Sequence, residues 1–378
     1  MPVNTYAPGP PSGAFYTGPA NGITFPTPSQ PVEGFSAVLA GRHPGEYLAM
    51  SDNGFGGKAN SRDFLIRAYY IQPEFKTGAG GTGEVAVGDF ISFRDPNNKI
   101  GFAIVNEGTT DRLLTGGDID PESMQRGPNG DLWMGDEFGP WILHFDQSGV
   151  LLDPPYAVPG SLLAAPIAGD LESPNNPFLG ANPPSQPNSR GFEAMAITPN
   201  GKYLYAALEG ATVADTNPSR RNVLEFSVAD GAFTGRTWWY HTDQPGYFVA
   251  DMWALDQHRI AVIERDGGSG LNALFRNVNV VDLRDVDASG FLVKNVAVNL
   301  AAIPDPDGVS LPPIHDGDVG LGDPFRVTCE SIEAVHLVDG ARLLLGCDNN
   351  FPNKGRNPDL ADDNEFIIVK VPGLKSGT

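Results

Sequence analysis

Residues 191–210 read GFEAMAITPNGKYLYAALEG, and they contain the clearest copy of a unit that recurs along the chain. Glu193 opens an apolar strand, a tight turn follows at residues 199–201, and Glu209 closes the return strand. The next stretch, RNVLEFSVADGAFTGRTWWY, supplies two further strands. The unit is therefore predicted to be a four-stranded antiparallel sheet with carboxylates at one end of its first hairpin.

The same unit recurs four more times without strict sequence identity. The copies are EGFSAVLAGRHPGEYLAMSDNG (33–54), DPESMQRGPNGDLWMGDEFGP (120–140), ADMWALDQHRIAVIERDGG (250–268) and CESIEAVHLVDGARLLLGCDNN (329–350). The outer strands are FLIRAYYI and VAVGDFISF in the first of these and WILHFDQSGVLL in the second. Repeated four-strand modules without an amphipathic helix are typical of a β-propeller. A β-sandwich is the alternative, but it has no reason to repeat the same acid placement in every module.

The sequence therefore predicts an all-β fold, a β-propeller of five or six four-stranded blades. A sixth blade would lie within residues 75–118 or 301–323, where the connections are long for a compact domain. The last strand, EFIIVKV, lacks a following partner, so an N-terminal segment such as AFYTG (14–18) is expected to complete that blade and close the ring. Residues 31–378 form the single domain in this scheme, and residues 1–30 form an irregular Pro- and Gly-rich arm.

The chain is strongly acidic. It carries 46 Asp plus Glu against 25 Lys plus Arg, a formal charge of −21. Such a surface repels nucleic-acid phosphates and anionic lipids, so neither is expected as a partner. The acidity serves either solubility or the binding of cations, and composition alone does not separate the two. No run approaches the roughly 18 apolar residues of a membrane span, so membrane insertion is not expected.

The two cysteines lie on either side of a turn near Asp339 and Gly340. Cys329 and Cys347 thus suit a cross-strand disulfide in an oxidising compartment, and two buried free thiols are the alternative. The start, MPVNTYAPGPPSG, lacks the basic and apolar regions of a signal peptide, as a chain trimmed of its export signal also would.

Hairpin geometry gathers the repeated acids. The start of the first strand and the end of the second lie side by side, opposite the turn. The converging sets are Glu122 with Asp136 and Glu137, Glu193 with Glu209, Asp251 with Glu264, and Glu330 with Asp348. If these hairpins are the inner strands of blades, the carboxylates collect at one mouth of the central channel.

Carboxylates and amide oxygens without a His or Cys cluster are ligands for a hard cation. We expect Ca²⁺, with Mg²⁺ or Mn²⁺ as alternatives. The predicted metal ligands are Asp52, Asn53, Glu122, Asp136, Glu193, Glu264, Glu330, Asp348 and Asn349. Glu137 and Glu209 are the candidates for a catalytic general base. The competing interpretation is that each acid caps a local turn.

Two basic loops are predicted to leave the same rim. GFGGKANSRDF carries Lys58 and Arg62, and NNFPNKGRNPD carries Lys354 and Arg356. Beside a metal, these four side chains would bind the negative charge of a phosphate ester. Ordinary solvated loop charge is the alternative.

The chain resembles the phytase-like proteins described as "esterase-like activity of phytase". The motifs are PVEGFSAVL, MSDNGFGGKANSRDF, RLLTGGDIDPESMQRGPNGDLWMGDEFGPWILHFDQSGVLL, SRGFEAMAITPNGKYLYAALEG, VIERDGG and DDNEFIIVKV, between about Gln30 and Val371. The resemblance implies a secreted or periplasmic β-propeller that binds divalent metal and hydrolyses esters or phosphoesters.

The leading hypothesis is a calcium-dependent, monomeric hydrolase of small anionic phosphate esters. A calcium-dependent lactonase or arylesterase is the second hypothesis, since it needs the metal but no basic clamp. The third is a non-catalytic binding propeller whose calcium only stabilises the ring.

Overall fold

A computed structural model describes residues 1–374 as an all-β molecule. Five sheets follow one another along the chain, four with four antiparallel strands and the last with three. The innermost strands of successive sheets contact one another, and the first also contacts the fifth. The sheets therefore form a closed ring around a channel, which confirms the predicted β-propeller and gives it five blades.

Each blade is built from consecutive strands. A short ribbon, β1 (Tyr6–Ala7) with β2 (Gln30–Pro31), precedes the ring. Blade 1 contains β3 (Phe35–Ala40), β4 (Tyr47–Ser51), β5 (Arg67–Pro73) and β6 (Val85–Ser92). Blade 2 contains β7 (Pro121–Arg126), β8 (Leu132–Asp136), β9 (Trp141–Phe145) and β10 (Tyr156–Ala157). Blade 3 contains β11 (Phe192–Ile197), β12 (Tyr203–Leu208), β13 (Arg220–Ser227) and β14 (Ala232–His241).

Blades 4 and 5 complete the ring. Blade 4 contains β15 (Phe248–Ala254), β16 (Arg259–Arg265), β17 (Arg276–Val286) and β18 (Leu292–Asn299). Blade 5 contains β19 (Ser331–Asp339), β20 (Arg342–Asp348) and β21 (Phe366–Lys370). Two single-turn 3₁₀ helices, Gly160–Leu162 and Gly270–Asn272, lie in connections.

The apolar core is divided among the five seams between blades. A buried cluster fills each seam. Between blades 1 and 2, for example, Met50 packs in one cluster with Met134 and Leu143. Both faces of a blade lie in seams. For this reason β4 and β12, the second strands of blades 1 and 3, are apolar along nearly their whole length and almost entirely buried. The burial of both faces of each sheet stabilises the ring.

Ring closure differs from the sequence prediction. Residues 14–18 form a turn and a bend, and they do not add a strand to blade 5. Met1 instead exchanges two backbone hydrogen bonds with Asn364, at 2.7 and 3.1 Å, just before β21 begins. Met1 and Ala7 also pack in the seam between blades 5 and 1. Within residues 1–374, blade 5 therefore keeps three strands.

The fourth strand of blade 2 and the two long connections differ from the sequence prediction. The fourth strand of blade 2 is β10, whereas Val150 and Leu151 form only isolated bridges to Arg94 and Phe145. In the described part of the chain, residues 75–118 and 301–323 build no sixth blade. The predicted domain runs to residue 378, and its last four residues lie outside the described ones.

A disulfide joins Cys329, in the segment that enters blade 5, to Cys347 in β20. Of the two alternatives that the sequence left open, the disulfide is therefore the one present. Among the residues that the structure describes, no helix is long and apolar enough to cross a membrane.

His336 of β19 lies at the end of its hairpin opposite to the acidic residues and predicts a pH-dependent stability. Its ring packs against Trp253, with ring centroids 4.5 Å apart, and against Tyr47. Burial, with the charge of Arg126, lowers its pKa to about 4. Between pH 4 and 6.5 the unfolded chain binds the proton that the folded protein excludes, so this group costs stability as pH falls, up to ~3 kcal/mol.

We expect His336→Gln to lose less stability than the wild type between pH 7 and pH 4.5, by roughly 2 kcal/mol. Urea unfolding of both proteins at the two pH values measures this difference. An equal loss in wild type and variant would show that His336 accepts its proton in the folded state.

Candidate functional site

The inner strand of every blade carries a β-bulge near its start. The pairing register skips one residue at Ser36, Glu122, Glu193, Ala250 and Glu333 in blades 1 to 5. A bulge bends the strand and redirects the extra side chain. We call these five positions the bulge tier, and three of them are glutamates.

A second set of equivalent positions lies at the end of each return strand. The residues that pair across from the start of the inner strands are Ser51, Asp136, Leu208, Glu264 and Cys347. The residues directly after them are Asp52, Glu137, Glu209, Arg265 and Asp348. We call this second set the strand-end tier. It holds four carboxylates and one arginine.

The two tiers meet in a compact carboxylate cluster. Three groups have oxygens within 4.8 Å of one another: Asp120, Glu122 and Glu137; Glu122, Glu193 and Glu333; and Glu137, Glu193 and Glu209. Each group shares a residue with each of the others, so the six side chains form one network. All six are at most 8% exposed. Residues from blades 2, 3 and 5 thus converge at one mouth of the channel, as hairpin geometry predicts.

Burial and like charge strongly disfavour ionisation of this cluster. Burial, followed by the charges of neighbouring carboxylates, raises the pKa of Glu122, Glu137 and Glu193 well above the ordinary value. Burial also raises the pKa of Asp120 to about 6, against hydrogen bonds from Glu122 and Asn53 that lower it. Full ionisation at neutral pH therefore requires a counter-charge.

Arg265 supplies part of that counter-charge from within the strand-end tier. Its guanidinium lies 2.6 Å from a Glu333 oxygen and 3.5 Å from a Glu209 oxygen. Burial opposes its charge, but Glu333, Glu209 and Glu193 outweigh burial and raise the pKa of Arg265. Arg190 adds a second contact to Glu209, at 2.7 Å. Two arginines therefore neutralise the side of the cluster nearest blades 3 and 4.

Several predicted ligands also cap local backbone. Asp52 Oδ1 accepts from the Gly54 amide, and Asn53 Oδ1 accepts from the Gly56 amide. Asp136 accepts from the amides of Asp120 and Gly139, at 2.8 and 2.6 Å. Local capping is therefore present at these three positions, and ion binding there stays a prediction.

The end of β20 caps backbone in the same way. Asp348 Oδ1 accepts from the Asn350 amide at 2.7 Å. The Asn349 side chain accepts from the Gly34 amide and donates to the Asp362 carbonyl, which ties blade 1 to the segment before β21. Asn349 Oδ1 thus already accepts one backbone hydrogen bond and keeps one lone pair.

Glu264 points away from the cluster. Its Oε2 accepts hydrogen bonds from Tyr240, Asn279 and Lys294 at 2.6, 3.2 and 2.7 Å. Because side chains alternate along a strand, the next residue, Arg265, is the one that faces the channel.

Two other predicted acids lie outside the cluster. Asp251 follows the bulge of blade 4 and accepts from the amides of Met252 and Val335, so it fastens blade 4 to blade 5. Glu330 is only half-buried and comes before β19 begins.

Sequence reasoning missed several members of the site. Glu333 holds the bulge position of blade 5, three residues after the predicted Glu330. The Glu-Ala pair shared by GFEAM and SIEAV is the signal that identifies it. Asp120 also belongs to the cluster. Glu33 is also fully buried. Burial, followed by the charges of Asp52 and Asp348, raises the pKa of Glu33 well above the ordinary value.

A cavity of about 740 Å³ opens beside the cluster. Asp120, Asp118, Lys58, Arg62 and Phe138 are among its lining residues. The Lys58 ammonium donates to the Asn175 carbonyl at 3.1 Å and lies 5.3 Å from the Phe138 ring. One of the two predicted basic loops therefore faces the same space as Asp120.

The second basic loop does not reach this cavity. Lys354 is exposed, and the Arg356 guanidinium forms two hydrogen bonds to Glu365, at 2.7 and 2.8 Å. Arg356 also donates to the carbonyls of Val319 and Arg326. Arg356 therefore fastens its own loop.

The donor set fits a hard divalent cation. It is made of carboxylate oxygens, and arginines balance only part of it. In the described part of the chain, Asp120 Oδ1 and both Glu33 oxygens are buried without a hydrogen-bond partner. Buried polar atoms of this kind need a partner such as an ion or a water molecule.

The fold and the site define a five-bladed β-propeller with a buried carboxylate cluster at one mouth of its channel. The family model described as phytase-like, "esterase-like activity of phytase", matches residues 30–351. The chain belongs to this family. An uncharacterized secreted protein of Arthroderma benhamiae is 30% identical over 129 residues, which is 29% of this chain and 24% of that protein. The chain thus matches about a quarter of that relative's length.

The similarity to solved structures is low in both sequence and superposition. The periplasmic gluconolactonase of Pseudomonas aeruginosa is 12% identical over 89% of this chain and 88% of its own, with a TM-score of 0.36. A protein from Lactobacillus plantarum is 13% identical over 86% of this chain and 66% of its own, with a TM-score of 0.34. Similarities this distant carry no functional argument.

The cluster predicts opposite effects for two buried glutamates. In metal-free protein at pH 8, Glu193→Gln removes a charge that burial and three neighbouring carboxylates disfavour. We expect it to stabilise the fold by roughly 1 kcal/mol or more. The matched Glu264→Gln weakens the contacts with Lys294 and Tyr240, and we expect it to destabilise by about 1–3 kcal/mol.

Denaturant unfolding in EDTA measures both changes. If Glu193→Gln destabilises the metal-free protein as much as Glu264→Gln does, the cluster is not electrostatically strained.

Proposed function

We propose that the protein is a metal-dependent hydrolase of phosphate esters, with its active site at the acidic mouth of the propeller channel. The observation that carries this proposal is the position of Asp120. It belongs to the carboxylate cluster and also lines the cavity that contains Lys58 and Arg62. A candidate cation ligand and two basic side chains therefore face one space, which is the arrangement that a phosphate ester would need.

The cation would be held by Asp120, Glu122, Glu193 and Glu333. Ca²⁺ suits this set best because it accepts many carboxylate oxygens in flexible geometry, whereas Mg²⁺ and Mn²⁺ favour stricter octahedral sites. A bound cation polarises the scissile phosphoryl or acyl oxygen and lowers the pKa of a water molecule. Arg265 balances part of the negative charge of Glu333 and Glu209, and the ion would balance the charge that remains.

The remaining roles follow from charge and position. Lys58 and Arg62 would bind the anionic oxygens of the substrate in the cavity. Of the two predicted general bases, Glu137 is the better candidate because Glu209 is paired with Arg190 and Arg265. Glu137 lies within the Asp120 group and has no arginine partner of its own in the described part of the chain, so it would be the base beside the cavity that Asp120 lines.

A carboxylic ester or lactone is the second candidate substrate. The position of the second basic loop favours this class. Arg356 binds Glu365, so it adds no positive charge to the cavity lined by Lys58 and Arg62. Phe138, Ile104 and Val105 give the cavity an apolar part that suits an acyl or aryl group. This candidate uses the same carboxylates but does not depend on Arg62.

We also propose that the protein works outside the reducing cytoplasm. The Cys329–Cys347 disulfide is typical of an oxidising compartment, and the fungal relative is described as secreted.

Hydrolysis assays on EDTA-treated protein test the proposal. Phytate, p-nitrophenyl phosphate and p-nitrophenyl acetate would be assayed without metal and with added Ca²⁺, Mg²⁺ or Mn²⁺. We expect phosphate release that returns with Ca²⁺, and a loss of roughly tenfold or more in Arg62→Glu, because charge reversal repels the substrate. Lys354→Glu is the matched control, since the same reversal at an exposed residue away from the cavity leaves the rate unchanged.

The alternatives give different results. Acetate cleavage that survives Arg62→Glu would identify the carboxylic-ester class. Stabilisation by Ca²⁺ without turnover of any substrate would identify a binding propeller. Phosphatase activity that persists in EDTA would contradict the proposal.

A further inference from the structure

The cavity that Asp120 lines carries little positive charge. Among the described residues of its lining, Lys58 and Arg62 are basic, and Asp118 and Asp120 are acidic. The whole chain has a formal charge of −21, so its wider field also repels anions. A cation bound by the carboxylate cluster would be offset by the cluster itself. Lys58 and Arg62 therefore provide enough positive charge for one phosphate group, and a second phosphate would lack a partner.

Both basic side chains are available for that one phosphate. Arg62 is exposed, and among the described residues its guanidinium has no ion pair or hydrogen bond, only a contact with the Phe15 ring at 5.4 Å. The Lys58 ammonium uses one donor on the Asn175 carbonyl, at 3.1 Å, and keeps the others. Both residues belong to the loop 54–64 and line the same cavity, so we expect them to share one anion.

An apolar wall begins directly beside Arg62. Val105 is 40% exposed and lines the cavity together with Ile104. A Cβ atom added at Gly117 would lie 3.0 Å from Arg62 Cγ and 3.1 Å from Val105 Cγ2, so these two side chains flank the same glycine. An uncharged group joined to a phosphate on Arg62 would therefore contact Val105, and its burial there would be favourable.

Hydrogen bonds to Asp118 hold this wall in place. Asp118 Oδ1 accepts from the Val105 amide at 2.8 Å, and Oδ2 accepts from the amide and the hydroxyl of Thr115, both at 2.9 Å. Asp118 itself is only 2% exposed. Its carboxylate is thus engaged with the surrounding chain, and the position of Val105 is set before a substrate binds.

Another part of the lining is polar but uncharged. The Asn175 side chain donates to Asn188 Oδ1 at 2.9 Å, and the Asn188 side chain donates to the Ser189 hydroxyl at 3.0 Å. The next residue, Arg190, binds Glu209 at 2.7 Å and does not line the cavity. This part of the lining therefore offers hydrogen bonds to a substrate but no charge for a second phosphate.

We propose that the site selects phosphate esters that carry a single phosphate group on an uncharged, largely apolar organic group. This selectivity rests on the proposed function, because it concerns the substrate of the same site. Lys58 and Arg62 bind the phosphate, and Val105 and Ile104 contact the organic group. Phytate, which carries several phosphates, is a poor substrate for such a site.

A series of phosphonates, whose C–P bond resists hydrolysis, tests this selectivity. Methylphosphonate, pentylphosphonate and pentane-1,5-bisphosphonate would be titrated by calorimetry into the full chain at a fixed excess of Ca²⁺. Because its chain can be buried against Val105, we expect pentylphosphonate to bind roughly tenfold more tightly than methylphosphonate. The bisphosphonate adds a second charged group without a partner, and we expect it to bind roughly tenfold more weakly than pentylphosphonate.

Val105→Lys tests the apolar wall directly, because it replaces an apolar contact with a third cation and leaves Lys58 and Arg62 in place. We expect it to bind the bisphosphonate roughly tenfold more tightly than the wild type does, and pentylphosphonate more weakly. Val296→Lys is the matched control. Val296 lies in β18, is 62% exposed and does not line the cavity, so its replacement leaves the affinities as in the wild type. The wild-type titrations decide the question even if Val105→Lys fails to fold.

These titrations separate failure of the proposed selectivity from failure of the proposed function. Equal or tighter wild-type binding of the bisphosphonate, equal binding of methylphosphonate and pentylphosphonate, or binding of no phosphonate would each overturn the selectivity, whether or not phosphate esters are hydrolysed. The expected order of affinities without turnover of any phosphate ester would support the ligand class and contradict the hydrolase.

Discussion

The structure depends on one electrostatic constraint, the convergence of buried carboxylates where the inner strands of the blades meet. Glu122, Glu193 and Glu333 occupy the same bulge position in three blades, so ring closure brings them together. Burial makes their mutual repulsion expensive, because water does not screen it. The ring therefore closes around a site that requires positive charge, and blade 4 meets part of that requirement with Arg265.

The apolar seams hold this strained centre in place. Each blade buries both faces against its neighbours, which leaves the acidic ends of the inner strands little freedom to separate. Asp251 and Asn349 add polar links between blades 4 and 5 and between blades 5 and 1. Buried like charge at functional sites is commonly held in this way, by structure elsewhere that is stable enough to oppose it.

Most of the fold and part of the site could be predicted from the sequence. Alternation of apolar residues and the position of turns predict the hairpins, and hairpin geometry predicts that their acids converge. The direction of each side chain is harder to predict. Side chains alternate along a strand with a period of two residues, and a bulge shifts that alternation by one residue. For this reason the sequence pattern indicates Glu264 where Arg265 faces the channel, and Glu330 where Glu333 does. The role of Arg356 depends on the distant Glu365, Val319 and Arg326, which no local pattern shows.

The central claim is that the carboxylates at the channel mouth bind a cation, and anomalous diffraction tests it most directly. Crystals of the protein soaked with Tb³⁺, a strong anomalous scatterer that replaces Ca²⁺ at oxygen sites, would show where the ion binds. A dominant peak among the carboxylates of Asp120, Glu122, Glu193 and Glu333 is the predicted result. Anomalous peaks confined to exposed surface acids, with none at the channel mouth, would contradict the claim.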